Sequence, residues 1–153
     1  DLEEVLLENV FNDSLNVIGK SLENHAVDVN LKVIQDKPIK TYPRELMQVF
    51  INIIKNAKEA LVENKIEDKK ISILIDDKED CAHVTVCDNA GGIKKDILDR
   101  IFEPYFSTKS EKNGTGLGLY MSKTIIEKHL HGSLEAYNEN NGACFDIQLP
   151  YNK

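Results

Sequence analysis

The sequence predicts a mixed α/β domain, and two observations carry that prediction. Apolar residues recur at helical spacing in three long segments, and they alternate with polar residues in five short ones. A third observation points toward function. Asn113–Leu119 reads Asn-Gly-Thr-Gly-Leu-Gly-Leu, with glycine at every second position ahead of a helical pattern.

The 153 residues suit one domain with one hydrophobic core, and an apolar content of 41% is enough to fold. The net charge of −7 argues against a nucleic-acid surface. No apolar run approaches the roughly 18 residues of a membrane span, so no direct membrane contact is expected. Cys81, Cys87 and Cys144 are odd in number and form no C-x-x-C pair. They suggest buried thiols in a reducing compartment, the cytoplasm, rather than disulfides or zinc ligands. The chain begins at Asp1, not Met, and is read as a fragment of a larger protein that is either soluble or membrane-anchored.

The elements follow in order. Residues 2–25 read as a helix with two apolar stripes, Leu2, Val5, Leu6 and Val10, then Phe11, Leu15, Ile18 and Leu22, with a bend possible at Asn12-Asp13-Ser14. Val27, Val29, Leu31 and Val33 alternate as a strand, followed by a polar loop with Pro38. Pro43 sits in the first turn of a long helix whose core face is Leu46, Val49, Phe50, Ile53, Ile54, Ala57 and Leu61. Lys70–Asp76 and Ala82–Val86 read as a hairpin with an acidic turn. A short helix is expected over Lys94–Ile101 and a third main helix over Leu117–Leu130, with Thr115 as its N-cap and Gly132 just past its end. Ser133–Tyr137 and Cys144–Leu149 close the chain as a second hairpin, with Phe145, Ile147 and Leu149 pointing inward.

Four stretches carry possible chemistry. The glycines at 114, 116 and 118 free the backbone at a helix start, where N–H groups and the helix dipole suit a phosphate; an ordinary tight turn is the alternative. There is no Gly-x4-Gly-Lys-Ser/Thr, and a polar loop rather than a strand precedes the glycines, so neither a P-loop nor a dinucleotide fingerprint fits. Asn52 and Asn56 lie one turn apart beside the apolar stripe of the second helix. They form either a solvated border or a source of side-chain oxygen for Mg²⁺, which takes few protein ligands. Asp88 continues the inward parity of Val84 and Val86 and precedes Asn89-Ala90-Gly91-Gly92-Ile93. It is either a turn aspartate or an acceptor for an adenine amino group, and a buried carboxylate needs such partners. Phe102–Lys109 starts aromatic and turns polar, as a surface loop or as a lid that anchors Phe102 and Phe106 and swings Thr108 and Lys109 over phosphates.

The four stretches, in this order, resemble the catalytic ATP-binding domain of bacterial sensor histidine kinases. The motifs are Asn52-x3-Asn56-Ala57, Asp88-x-Ala90-Gly91-Gly92, Phe102-x-Pro104-Tyr105-Phe106 and Gly114-Thr115-Gly116-Leu117-Gly118-Leu119. That group shares the Bergerat fold with gyrase-type topoisomerases, MutL-type repair proteins and the ninety-kilodalton heat-shock chaperones. The likeness runs over essentially the whole chain. Asn56–Ala60 and Ser107–Lys109 are similar to the branch that includes nitrogen-regulatory kinases.

The resemblance implies an α/β sandwich, a mixed sheet of about five strands with three main helices on one face and a flexible ATP lid. It implies ATP and Mg²⁺ as cofactors. By motif position Asn56 ligates Mg²⁺, Asn52 supports the phosphates or the metal's water, and Asp88 reads the adenine amino group. Gly92 and Ile93 give the base close access, and Phe106, Thr108 and Lys109 belong to the lid, with Lys109 reaching a phosphate. Gly114, Thr115, Gly116, Leu117, Gly118 and Leu119 form the phosphate-side turn. The implied catalytic set is Asn52, Asn56 and Lys109. The implied partners are the parent protein's own dimerisation domain, which carries the phosphorylated histidine within a homodimer, and a response regulator.

Three positions depart from the family pattern. Ala90 stands for a glycine, which is tolerable only at negative φ; Ala60 stands where an adenine-stacking ring is common; and Cys144 stands for a threonine near the adenine water network. Position 52 separates a kinase from a Bergerat-type ATPase or a nucleotide-binding scaffold. ATPase members carry a glutamate there as general base, and the Asn52 amide cannot accept a proton at neutral pH. Glu45 and Glu59 are the only other candidate bases on that helix edge. A histidine nucleophile needs less help, because its neutral ring already has a lone pair. His25, His83, His129 and His131 lack the acceptor-helix sequence of the family, so the chain alone is expected to bind ATP without phosphorylating itself.

Overall fold

The computed structural model describes residues 1–106 and 117–151. Eleven elements run in the order β1 (Glu3–Val5), α1 (Leu7–Asn24), β2 (Asp28–Val33), β3 (Ile39–Thr41), α2 (Pro43–Glu63), β4 (Lys70–Lys78), β5 (Cys81–Asp88), α3 (Lys95–Leu98), α4 (Gly118–Thr124), β6 (Ser133–Glu139) and β7 (Gly142–Pro150). A single π-helical turn, Ile125–His129, extends α4.

The main sheet has five strands in the order β2-β4-β5-β7-β6. β2 pairs with β4 in parallel and the other neighbours are antiparallel, so the sheet is mixed as expected. Alternation assigns its two faces. Ile71, Ile73, Ile75, Val84, Val86 and Ile147 are at most 1% exposed and form the floor of the core. The helices close over that floor. Phe11 of α1 stacks on Phe50 of α2 with ring centroids 3.8 Å apart, and Ile126 of the π turn is fully buried. The opposite face carries polar residues, with His83 and Thr85 of β5 both bonded to Asp146 of β7.

The N-terminal segment corrects the expectation of a helix from residue 2. Glu3–Val5 pairs antiparallel with Ile39–Thr41 in a separate two-stranded sheet, so Pro38 precedes a short strand rather than a plain loop. α1 starts only at Leu7, where the Asp36 carboxylate accepts the N–H groups of Leu7 at 3.1 Å and Glu8 at 2.9 Å. The partners that decide this boundary lie far away in sequence, and no local pattern shows them. α1 then runs unbroken past Asn12-Asp13-Ser14, with the buried Ser14 hydroxyl donating to Val10 O at 2.8 Å.

The turns are also sharper than the sequence suggests. Glu79 and Asp80 both have positive φ and join β4 to β5 directly, and Asn140 and Asn141 do the same between β6 and β7. At the end of the third helix the left-handed residue is His131, at φ 62°, and not Gly132. Gly132 is needed for another reason. A Cβ there would lie 2.1 Å from the Gln148 carbonyl oxygen, so only glycine lets the helix exit cross β7.

The cysteines require a second correction. Cys87 and Cys144 are register partners across β5 and β7 and form a disulfide, leaving Cys81 as the free thiol. Odd number and irregular spacing pointed to three thiols. Strand register brings two of them face to face.

Candidate functional site

The site is assembled at one end of the sheet, where β5 stops and the β6–β7 hairpin turns. Asp88 is the last residue of β5, opposite Ile71 of β4, and is 9% exposed on the helix-covered face. Its Oδ1 accepts the N–H of Ala90 at 2.9 Å and of Ala143 at 3.2 Å; Oδ2 takes part in neither bond. Burial pushes the Asp88 carboxyl above its ordinary value, against the pull of those two N–H groups. The carboxylate is therefore costly where it sits and is held rigidly by backbone.

The loop after Asp88 turns on two glycines. Gly91 and Gly92 have φ of 102° and 85°, whereas Ala90 does not have positive φ, so its methyl group is accommodated as the sequence requires. Asn64, at the end of α2, donates to Ala90 O at 2.9 Å. Gly91 N–H donates to Asn141 O at 2.9 Å. The Asn138 side chain accepts from Ile93 N–H at 2.8 Å and donates to Ile93 O at 2.7 Å. A Cβ on Gly142 would lie 1.7 Å from Asp88 O, so the hairpin rests directly on the Asp88 backbone.

The helix wall is built from α2 and α4. Asn56 is half-buried on α2 and donates through Nδ2 to Asn52 O at 3.1 Å. Asn52 donates through Nδ2 to the buried Ser122 hydroxyl of α4 at 3.4 Å. Gly118 faces the same residue, since a Cβ there would lie 3.9 Å from Asn52 Oδ1. α2 thus holds the first turn of α4 against Asn52. Ala60, one turn beyond Asn56, packs partly buried against the core. α4 starts at Gly118 with Leu117 in the N-cap position and no side-chain cap, which moves the helix start from the expected Thr115 cap. Leu119 packs on the core.

At the entrance to the expected lid, Phe102 packs edge-on to Phe145 at 6.3 Å and Lys123 lies 4.8 Å over its ring. Phe106 is partly buried and the Arg100 guanidinium lies 4.6 Å over its ring. Both phenylalanines anchor the segment as expected. Thr108, Lys109, Gly114, Thr115 and Gly116 lie outside the described residues, as does the expected mobile lid Thr108–Asn113.

Cys144 is the one sequence candidate that the geometry removes. Its register partner is Cys87, so its side chain lies on the sheet face opposite Asp88. The neighbouring Ala143 reaches Asp88 instead, through its N–H group. Sequence reasoning missed Ala143, Asn138, Asn64 and Ser122. The polar turn ahead of the Phe145 strand was the available signal for the first two; tertiary contact alone identifies the others.

The residues present fit a Mg²⁺-bound nucleotide. Among the described residues no group of three or more His, Cys, Asp or Glu side chains gathers to cage a metal. Asn56 offers one oxygen whose orientation is set by its Nδ2 bond to Asn52. One protein oxygen, with phosphates and water supplying the rest, is an ordinary Mg²⁺ environment.

This fold and this pairing of an aspartate-glycine loop with an asparagine-bearing helix define a nucleotide-binding α/β sandwich. The chain belongs to the family of histidine kinase-, DNA gyrase B- and HSP90-like ATPases, which it matches over residues 41–153. It is 35% identical over 147 residues to the two-component sensor PprA of Pseudomonas aeruginosa, covering 92% of this chain and 16% of that protein. It is 32% identical to the sensor histidine kinase ZraS of Escherichia coli, covering 99% of this chain and 31% of that protein. It is 34% identical to sporulation kinase E of Bacillus subtilis, covering 97% and 20%. The chain thus spans between 16% and 31% of the length of these curated relatives. The nucleotide-free catalytic domain of histidine kinase ThkA superposes with a TM-score of 0.86 at 26% identity, covering 99% of this chain and 96% of that one. ThkA in complex with the response regulator protein TrrA gives 0.84 at 24% identity. Among the described residues no helix is long and apolar enough to cross a membrane.

Proposed function

We propose that the chain is the catalytic module of a sensor histidine kinase. It binds Mg-ATP and presents the γ-phosphoryl group to a histidine on the dimerisation domain of its own homodimeric parent protein. A response regulator then receives the phosphoryl group on an aspartate, and the module works in the cytoplasm, a placement that rests on the regulator partnership and not on the cysteines, two of which are paired. The observation that carries this reading is Asp88. A buried carboxylate, costly to ionise, is held by two backbone N–H groups beside a glycine loop. Such an arrangement suits an acceptor for the amino group of adenine.

Each residue then has a separate task. Asp88 binds the base, and Gly92 and Ile93 bring backbone up to it. Ala60 and Phe106 line the apolar sides. Asn56 would hold Mg²⁺, which neutralises charge on the phosphates. Asn52 orients Asn56 and, through Ser122, the start of α4, where Leu117, Gly118 and Leu119 stand. Lys109, Thr108, Gly114, Thr115 and Gly116, outside the described residues, are assigned to the phosphates by motif position alone. Phosphoryl transfer needs positioning and charge neutralisation more than covalent chemistry, and these residues supply both.

Two of the three positions weighed as a base are poorly suited to activate water. Asn52 is no base, and the Glu45 carboxylate is in contact with the His129 ring, which also packs on Tyr42 with ring centroids 4.5 Å apart. None of the described histidines is offered as the acceptor: His83, for one, is bonded to Asp146 on the polar sheet face, opposite Asp88.

The test is incubation with γ-labelled ATP, with and without the parent's dimerisation domain. Acid-labile phosphate should appear on that domain and not on this chain. Rapid ADP production without any transfer would instead support the ATPase reading.

A further inference from the structure

We propose that Asn138 is a positioning residue for the base-reading loop, and that its side-chain amide makes the site selective for adenine over guanine. The inference rests on the nucleotide-binding reading above and assigns its base specificity to a residue outside the motifs.

The geometry is that of a side-chain clamp between the hairpin and the loop. Asn138 pairs with Ala143 of β7, one position before the ladder ends at Glu139 opposite Gly142. Its side-chain amide reaches from the end of β6 to the loop, accepting from Ile93 N–H at 2.8 Å and donating to Ile93 O at 2.7 Å. One side chain thus satisfies both backbone groups of the residue that follows the glycine pair. Two further contacts fix the same loop to the same hairpin: Gly91 N–H on Asn141 O, and Gly142 against the Asp88 backbone. Gly92 allows the approach, because a Cβ there would lie only 3.1 Å from Asn138 Oδ1.

Ahead of the glycines the loop is held by Asn64 on Ala90 O and by Asn89 on Lys70 N–H and Asp68 O; the Asn138 clamp holds the part after them. Both glycines sit in the left-handed region and neither carries a side chain to pack. Asn138 itself is exposed, so the clamp does not serve to bury apolar surface. Its consequence is a fixed distance between the loop backbone and the Asp88 carboxylate, which is anchored to the same hairpin through Ala143.

Base selection follows from that fixed distance. Adenine offers an amino group to Asp88 where guanine offers a carbonyl oxygen, which a carboxylate repels. Guanine also has an amino group, at C2, and could present it by sliding within a loose pocket. A rigid loop prevents the slide, so the carboxylate is left unpaired or repelled when guanine enters. Releasing the loop should therefore cost adenine affinity and gain relative tolerance of guanine.

The experiment compares wild type, Asn138→Ala and Asn138→Asp by calorimetric titration with non-hydrolysable ATP and GTP analogues and with ADP. Ile93 amide exchange is measured in the nucleotide-free proteins. Losing two backbone-directed hydrogen bonds should weaken ATP-analogue binding by roughly five- to fiftyfold in the alanine variant. ADP should weaken by the same factor, the ratio of ATP to GTP affinity should fall, and the Ile93 amide should exchange faster. Asn138→Asp keeps the acceptor and loses the donor, so it should protect the Ile93 amide and bind with intermediate affinity. The proposal is overturned if the alanine variant binds like wild type, or loses ATP and GTP by equal factors. If wild type binds no adenine nucleotide, the functional reading fails first and this inference falls with it.

Discussion

The N–H of Ala143 on β7 donates to Asp88 Oδ1 on β5 at 3.2 Å, so the Asp88 carboxylate is fixed by the closing hairpin as well as by its own loop. This contact joins residues 55 apart in sequence and makes the hairpin part of the site.

Burial of Asp88 carries a stability cost at neutral pH. Its folded carboxyl is raised above the ordinary 3.8, so the folded chain holds that proton more tightly than the unfolded chain does. Below the ordinary range there is no penalty. As pH rises through the ordinary value toward the folded one, stability falls, and the loss persists at neutral pH. Asp88→Asn removes the charge and keeps an acceptor for Ala90 and Ala143. The nucleotide-free variant should melt no lower than wild type at neutral pH, and any advantage should vanish in acid. A clear drop in melting temperature at neutral pH would count against this.

Gly142→Ala should be severe for a steric reason. Its Cβ would lie 1.7 Å from Asp88 O, so β7 must move away and the Ala143 bond must break. Overpacking of this kind typically costs about 1–3 kcal/mol, and more when the neighbour is backbone. Chemical denaturation should show at least that loss, together with loss of nucleotide binding. Unchanged stability would mean that the hairpin does not rest on Asp88.

The disulfide should matter for stability and little for binding. Cys87 and Cys144 close a sequence separation of 57, for which the chain-entropy account gives about 4 kcal/mol. Their side chains lie across the sheet from Asp88. The Cys87→Ser/Cys144→Ser double variant should unfold more easily yet bind the ATP analogue within about twofold of wild type, a difference of roughly 0.4 kcal/mol. Thiol counting should find one reactive cysteine, Cys81, before reduction and all three after it. Three reactive thiols in the untreated protein would contradict the pairing.

Asn56 predicts the metal dependence. Wild type should bind the ATP analogue more tightly with Mg²⁺ than without. Asn56→Ala should bind equally in both conditions, because only the metal-linked part of the affinity is removed. A variant that keeps the full Mg²⁺ enhancement would take Asn56 out of the metal shell.

What was legible in the sequence was what depends on local pattern. The periodicity of Leu46–Leu61 placed α2 and its buried face, and the parity of Val84, Val86 and Asp88 put the carboxylate on the covered side of the sheet. What was not legible depends on register or distant partners. Glu3–Val5 becomes a strand only because Ile39–Thr41 lies beside it, and α1 is capped by Asp36. Cys144 was assigned to the adenine side because sequence position alone does not reveal its pairing with Cys87. The Asn138 clamp was hidden for the same reason, being a side-chain contact across 45 residues.

The central claim is tested most directly by calorimetric titration of the chain with a non-hydrolysable ATP analogue and Mg²⁺, beside Asp88→Asn. A charge-assisted hydrogen bond is worth about 1.5–3 kcal/mol, so the variant should bind on the order of ten- to a hundredfold more weakly. Wild-type binding with that loss is the predicted result. Equal affinity in the two proteins, or no binding by wild type, would contradict the assignment of Asp88 to the adenine base.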